Sequence, residues 1–160
     1  MKEIPLTQGK FALVDDSDFE YLKQFKWNAH KSRNVFYAER RDGKSIVKMH
    51  HIIFGKPEKG LFIDHKDQNG LNNQRDNLRI ATRSQNKVNA GKHTKSSSKY
   101  RGVYWDKRWQ TWNVIVRKDG KNKRFGSFKN EVEAALKYNS VVENYHGEFA
   151  VLNMITVCGN

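Results

Sequence analysis

The chain reads as an α+β protein made of two small basic domains, and three observations point there. Short strand-like runs bounded by Gly, Asn and Asp recur along its 160 residues. Only a few segments repeat apolar residues at helical spacing. One Ser- and Lys-rich stretch without an apolar residue divides the chain. The expected layout is a first domain over residues 1–91, a linker over 92–97 and a second domain over 98–155. A tail follows over 156–160.

In the first domain, residues 10–14 read as a strand. Asp15, Asp16 and Asp18 then open a helix in which Phe19, Leu22 and Phe25 share a face. Acidic residues suit a helix N-terminus, so these three are expected as caps and not as metal ligands. Residues 34–40 and 45–50 form a hairpin turned by Asp42-Gly43, and a short apolar segment follows over 50–54. Residues 61–65 are a strand. The Asn-, Asp- and Gly-rich residues 66–77 are a loop held by side-chain-to-backbone hydrogen bonds, and residues 78–82 are a second strand. Ser84 is expected to cap a helix that runs to Ala90 and stops at Gly91.

The second domain should hold three strands, over residues 102–106, 111–117 and 123–128, with a turn at Asp119-Gly120. Asn130 caps a helix to about His146, with Glu133 as its capping-box partner and Gly147 as its stop. Val132, Ala135, Leu136 and Val142 are its expected apolar stripe. Alternation puts Trp112, Val114 and Val116 on one face of the middle strand and Asn113, Ile115 and Arg117 on the other. Trp105 and Trp109 are read as core residues, with exposure at a contact surface as the alternative.

Charge narrows the function. Thirty Lys and Arg against 17 Asp and Glu give +13, and the sequence pI is near 9.9. The excess is shared: 17 basic against 11 acidic residues up to Ala90, and 13 against 6 beyond it. Such a balance favours a polyanionic partner through counterion release and steering. No run approaches the roughly 20 apolar residues of a membrane helix, and the first residues lack the apolar core of a secretory signal. No membrane partner is therefore expected. Cys158 stands alone, which excludes an internal disulfide framework and a cysteine-based zinc site.

The chemistry concentrates in Ile63-Asp64-His65, Asn69-Gly70-Leu71-Asn72-Asn73, Asp76-Asn77-Leu78 and Ser84-Gln85-Asn86. Phosphodiester hydrolysis needs an attacking water, a base for its proton and positive charge beside the leaving oxygen. A strand ending in Asp-His offers an oxygen ligand and a base, and an Asn on the next helix offers a second oxygen. Asp67, Asn69 and Gly70 also fall in EF-hand register. That alternative fails because His65 takes the first ligand position, Asp76 replaces the final Glu, and strands flank the loop.

At these residues, over about residues 4–90, the sequence resembles the HNH endonuclease superfamily in its H-N-N form, found in phage and intron-encoded (homing) nucleases. IPLTQGKFALVDD and MHHIIFG extend the likeness. The resemblance implies a ββα-metal fold and duplex DNA as substrate, cut to 5′-phosphate and 3′-hydroxyl ends. It implies His65 as general base, and Asp64 and Asn86 as ligands of one divalent cation, Mg or Mn. Asn77 would orient His65, and His50 would either approach the scissile phosphate or pack the strand end. The family usually has Arg where His51 stands, so if that Arg touches the DNA backbone, a neutral His51 would weaken the contact. His30, His93 and His146 show no partner pattern and are expected at the surface.

Beyond the linker, Tyr100-Arg101-Gly102-Val103, Trp112-Asn113-Val114, Gly126-Ser127-Phe128, Glu133-Ala134-Ala135, Tyr138 and the GEFAVLN run over residues 147–153 resemble the ethylene-response-factor type of DNA-binding domain. That likeness implies three antiparallel strands packed on one helix, with the outer sheet face on DNA. Arg101, Tyr104, Arg108, Asn113, Arg117 and Arg124 would make the contacts. Tyr104 stands where the plant family has Arg, and the turn over residues 106–110 differs, so the plant target sequences do not carry over. The expected setting is cytoplasmic, on the DNA of a bacterium or a phage-infected host. The competing class is a regulator that binds a DNA sequence through a degenerate nuclease fold without cutting.

Overall fold

The computed structural model describes residues 1–89 and 96–155, which fall into two compact units, Met1–Arg83 and Ser84–Asn160. Most of the expected linker, the tail with Cys158, the helix stop at Ala90-Gly91 and His93 lie outside the described residues.

The first unit opens with an antiparallel pair, β1 (Lys2–Pro5) and β2 (Phe11–Val14). A short helix, α1 (Asp16–Leu22), follows. A three-stranded sheet in the order β3 (Asn28–Ser32), β4 (Val35–Asp42), β5 (Ser45–Lys48) comes next, then α2 (Met49–Phe54). The antiparallel pair β6 (Leu61–His65) and β7 (Leu78–Thr82) ends the unit. One apolar cluster joins these pieces: Ile4, Ala12 and Val14 from the first pair, Leu22 and Trp27, Ala38 from β4, Met49 and Ile53 from α2, and Leu78 from β7. The Trp27 indole donates to the Leu22 carbonyl at 2.9 Å, so the largest of these side chains is buried without stranding its polar group.

Alternation gives the middle sheet two different faces. Ala38 enters the core and Arg40 stacks on Phe25, whereas Tyr37 faces His50 and His65. The sheet is therefore a wall between the core and the Asp-His strand.

The acidic start of α1 acts differently from expectation. Asp15 occupies the N-cap position without a side-chain cap bond. Its carboxylate accepts from the backbone N–H of Arg75 at 2.8 Å and from Gln74 Nε2 at 3.2 Å. Asp18 receives Arg75 through Nε at 2.9 Å and Nη2 at 2.6 Å, and Asp16 meets the N-terminal amine at 2.8 Å. Two of the three acids thus anchor the loop before β7, because an arginine fork and an orphan N–H offer better donors than the helix end.

In the second unit, α3 (Arg83–Asn89) leads, so Ser84 lies inside the helix and not at its cap. An antiparallel sheet follows in the order β8 (Val103–Asp106), β9 (Thr111–Lys118), β10 (Lys121–Phe128), with α4 (Glu131–His146) packed on it. Asn130 caps α4 by accepting from the N–H groups of Val132 and Glu133. Val103, Val114 and Val116 are fully buried against Ala134, Ala135, Tyr138 and Val142. Leu136, expected in that stripe, is 51% exposed, because the face centred on Ala135, Tyr138 and Val142 leaves it about 100° away. Gly102 has φ +69°, and a Cβ there would run into the ring of Tyr138.

Candidate active site

The loop over residues 66–77 is tied into one conformation by its own side chains. Asp67 Oδ1 accepts from the Asn69 N–H and from Asn77 Nδ2, both at 2.9 Å, and its Oδ2 accepts from Asn72 Nδ2 at 2.8 Å. Asn77 Oδ1 accepts from the Asp67 N–H at 3.1 Å, and its Nδ2 also donates to the Asn72 carbonyl at 2.8 Å. Each such bond contributes about 1 kcal/mol net, and together they define the loop's path. The Asp67 and Asn69 oxygens that suggested a calcium loop are engaged in this bracing. Two further bonds lace the loop to β2: the Leu13 N–H donates to Leu71 O at 2.9 Å, and the Asn73 N–H to Leu13 O at 2.8 Å. Gly70 approaches β4 so closely that a Cβ would lie 2.7 Å from the ring of Tyr37.

At the end of β6, Asp64 and His65 are both buried, with 5% and 6% exposure. Asp64 stands directly across from Arg79 on β7, and its Oδ2 accepts from Arg79 Nε at 3.0 Å and Nη2 at 2.9 Å. His65 Nε2 lies 3.5 Å from Asn73 Oδ1. Asn73 is fully buried, and its Nδ2 donates to Leu71 O at 3.1 Å. Flipping that amide would set two carbonyl oxygens against each other, so Oδ1 faces the imidazole. An acceptor at that distance favours hydrogen on Nε2, which leaves Nδ1 as the basic nitrogen of His65.

His50, on α2, brings its ring centroid to 5.2 Å from that of His65, and Tyr37 lies 5.8 Å from His65 and 6.0 Å from His50. Burial is the main reason the His50 pKa falls to about 3, assisted by positive charge at His65, His51 and Lys48. Burial also lowers His65, against the opposing pull of Asn73, Asp67 and Asp64. Both imidazoles are thus neutral at pH 7, the form a proton acceptor needs. His50 Nδ1 is buried and has no hydrogen-bond partner among the described residues.

The structure therefore brings His65, Asp64 and His50 together, while Asn77 acts on the backbone of the loop. Asn86 lies half-buried on α3 in the second unit. Asn73 belongs to the Asn-rich run singled out in the sequence but had no role there, and Arg79 and Tyr37 were not read as site residues; the strand register and the loop's fold bring them in. His30 has a partner after all, Glu39 at 3.5 Å, and His146 is half-buried beside Tyr145.

No group of three His, Cys, Asp or Glu side chains converges into a metal cage among the described residues. The Asp64 carboxylate is a hard oxygen donor of the kind Mg²⁺ takes, and Mg²⁺ keeps several waters and few protein ligands.

In the second unit, the sheet face away from α4 carries Tyr104, Asn113, Ile115, Arg117, Arg124 and Ser127, as the strand register requires. Asn113 is buried in a polar cluster: its Nδ2 donates to Asp106 Oδ2 at 3.2 Å, and its Oδ1 accepts from Arg124 Nη2 and from Ser127 Oγ, each at 2.8 Å. Arg124 also contacts the Ser127 hydroxyl. Arg117 and Arg108 are exposed, with Arg108 over the ring of Trp109, and Arg101 donates to Val88 O at 3.0 Å. Trp109 is 64% exposed and Trp105 37% exposed, contrary to their expected burial. Trp109 sits in the short turn between β8 and β9, and Trp105 packs on Trp112 with ring centroids 4.9 Å apart and planes tilted by 56°.

A buried Asp-His strand end, a braced polar loop and an antiparallel partner strand define a nuclease-type site. Residues 47–88 match the HNH endonuclease family. A protein of Acanthamoeba polyphaga mimivirus named as an uncharacterized HNH endonuclease is 34% identical over 154 residues, covering 92% of this chain and 77% of its own. Protein 3.8 of Escherichia phage T7 is 32% identical over 121 residues, covering 75% of this chain and 96% of its own. No solved structure matches. The chain belongs to the HNH endonuclease family.

Proposed function

We propose that this protein is a metal-dependent endonuclease that hydrolyses duplex DNA, with His65 as general base. The single observation that carries this is the neutral, buried imidazole of His65, beside Asp64 and against the Asn73 carbonyl oxygen. His65 takes the proton of the attacking water through Nδ1, while Asn73 holds the ring and Asn77 holds the loop beneath it. Asp64 and Asn86 would hold one divalent cation, Mg or Mn, which when bound stabilises negative charge on the departing 3′ oxygen. Hydrolysis in this sense leaves 5′-phosphate and 3′-hydroxyl ends.

The second unit is the targeting module, of ethylene-response-factor type. Supporting this are its three strands on one helix and an outer face bearing Tyr104, Asn113, Arg117 and Arg124, with Arg108 on the adjoining turn. Arg101 would approach DNA from its tether at Val88. A tethered binder raises the local concentration of DNA at the nuclease unit. Relatives in a large virus and a phage favour a phage- or homing-type role on cytoplasmic DNA.

The test is relaxation and linearisation of supercoiled plasmid with Mg²⁺ or Mn²⁺, with and without chelator, by the wild type and His65→Ala. Cutting by the wild type alone, lost on chelation, is the expected result. Retarded migration without cutting by the wild type would support the regulator instead.

A further inference from the structure

Lys48 ends β5 and precedes the helix that carries His50. In the sheet register it lies opposite Glu39, and so diagonal to Tyr37 on the same face. Its ammonium sits 5.6 Å from the centre of the Tyr37 ring, whose other neighbours are the rings of His50 and His65. Among the described residues no carboxylate comes within ion-pair distance of it. Glu39 turns instead to His30, and Asp64 is held by Arg79. A half-buried cation is thus kept beside two buried imidazoles without a counter-ion. An ammonium held beside neutral rings with no carboxylate on it is open to an anionic ligand.

We propose that Lys48 is the phosphate-holding residue of the nuclease unit: its ammonium binds a non-bridging oxygen of the phosphodiester presented to His65. This rests on His65 being the base, and it adds a substrate-contacting group three residues before His51. As a compact point charge, Lys can follow the phosphate as negative charge builds on its oxygens.

The experiment measures duplex affinity against salt for the full chain in a His65→Ala background, which keeps the DNA intact, with and without Lys48→Met. One lost phosphate contact should reduce the slope of log K against log salt by about 0.9, and Lys48→Arg should restore it. With His65 present, Lys48→Met should slow single-turnover cutting at saturating protein on the order of 10²-fold, with Lys48→Arg recovering most of it. A methylphosphonate at the mapped scissile position should weaken binding by the Lys48 protein and not by the Met variant. An unchanged slope in Lys48→Met, or equal methylphosphonate sensitivity in both, would overturn the proposal. Should His65→Ala still cut, the base assignment fails, but the slope difference still decides the Lys48 contact.

Discussion

Arg79 and Asp64 form a buried ion pair across β6 and β7, with Nε and Nη2 of the guanidinium both on Oδ2 of the carboxylate. The pair fixes the carboxylate next to His65 in a place where an uncompensated charge would be costly.

Arg79→Met is therefore expected to destabilise the protein by about 3–5 kcal/mol, since it strands a buried carboxylate. Arg79→Lys should recover only part of this, because an ammonium cannot reproduce the fork. Urea unfolding of the three proteins measures both differences.

Stability should fall with acid between about pH 6.5 and pH 3. The folded protein holds His50 near 3, below its ordinary 6.5, so the unfolded chain binds the extra proton first. This contribution is complete above pH 6.5 and is lost as pH drops toward 3, by up to about 1.4 kcal/mol per pH unit. Urea midpoints from pH 7 to pH 4 should fall for the wild type and fall less for His50→Phe. Equal slopes would remove His50 from the acid response.

Asn73→Leu keeps the branching and number of heavy atoms but removes the acceptor facing His65 and the donor to Leu71 O. Single-turnover cutting is expected to fall on the order of 10²-fold with duplex affinity unchanged, as misplacement of a reacting group costs that much. Loss of affinity in parallel would point to a collapsed loop.

The outer sheet face supplies binding and not chemistry. Arg117→Ala should weaken duplex binding and reduce the salt slope by about 0.9, while the cutting rate at saturating protein stays near that of the wild type. A large fall in that saturated rate would contradict the division of labour between the units.

Much of the architecture was legible because its strands carry local signals. β6, the polar loop and β7 are bounded by turn residues, and the three strands and capped helix of the second unit follow alternation and an Asn130 cap. β1 and β3 were missed for the opposite reason. β1 buries only Ile4, and β3 (NAHKS) is mostly polar, so each is a strand by virtue of its partner. At the site, Asp64, His65 and Asn77 stand out by type and spacing. Arg79, Asn73 and Lys48 do not, since nothing in an ordinary Arg, Asn or Lys indicates which side chain lies across the strand or over the ring. Leu136 was misplaced by one helical step, and Trp109 by assuming that a large aromatic must be covered.

The most direct test is chemical rescue of His65→Gly on a labelled duplex with Mg²⁺ under single-turnover conditions. A loss of at least about 10²-fold, partly restored by added imidazole, is the outcome expected if His65 is the base. A variant that cuts at the wild-type rate without imidazole would contradict that assignment.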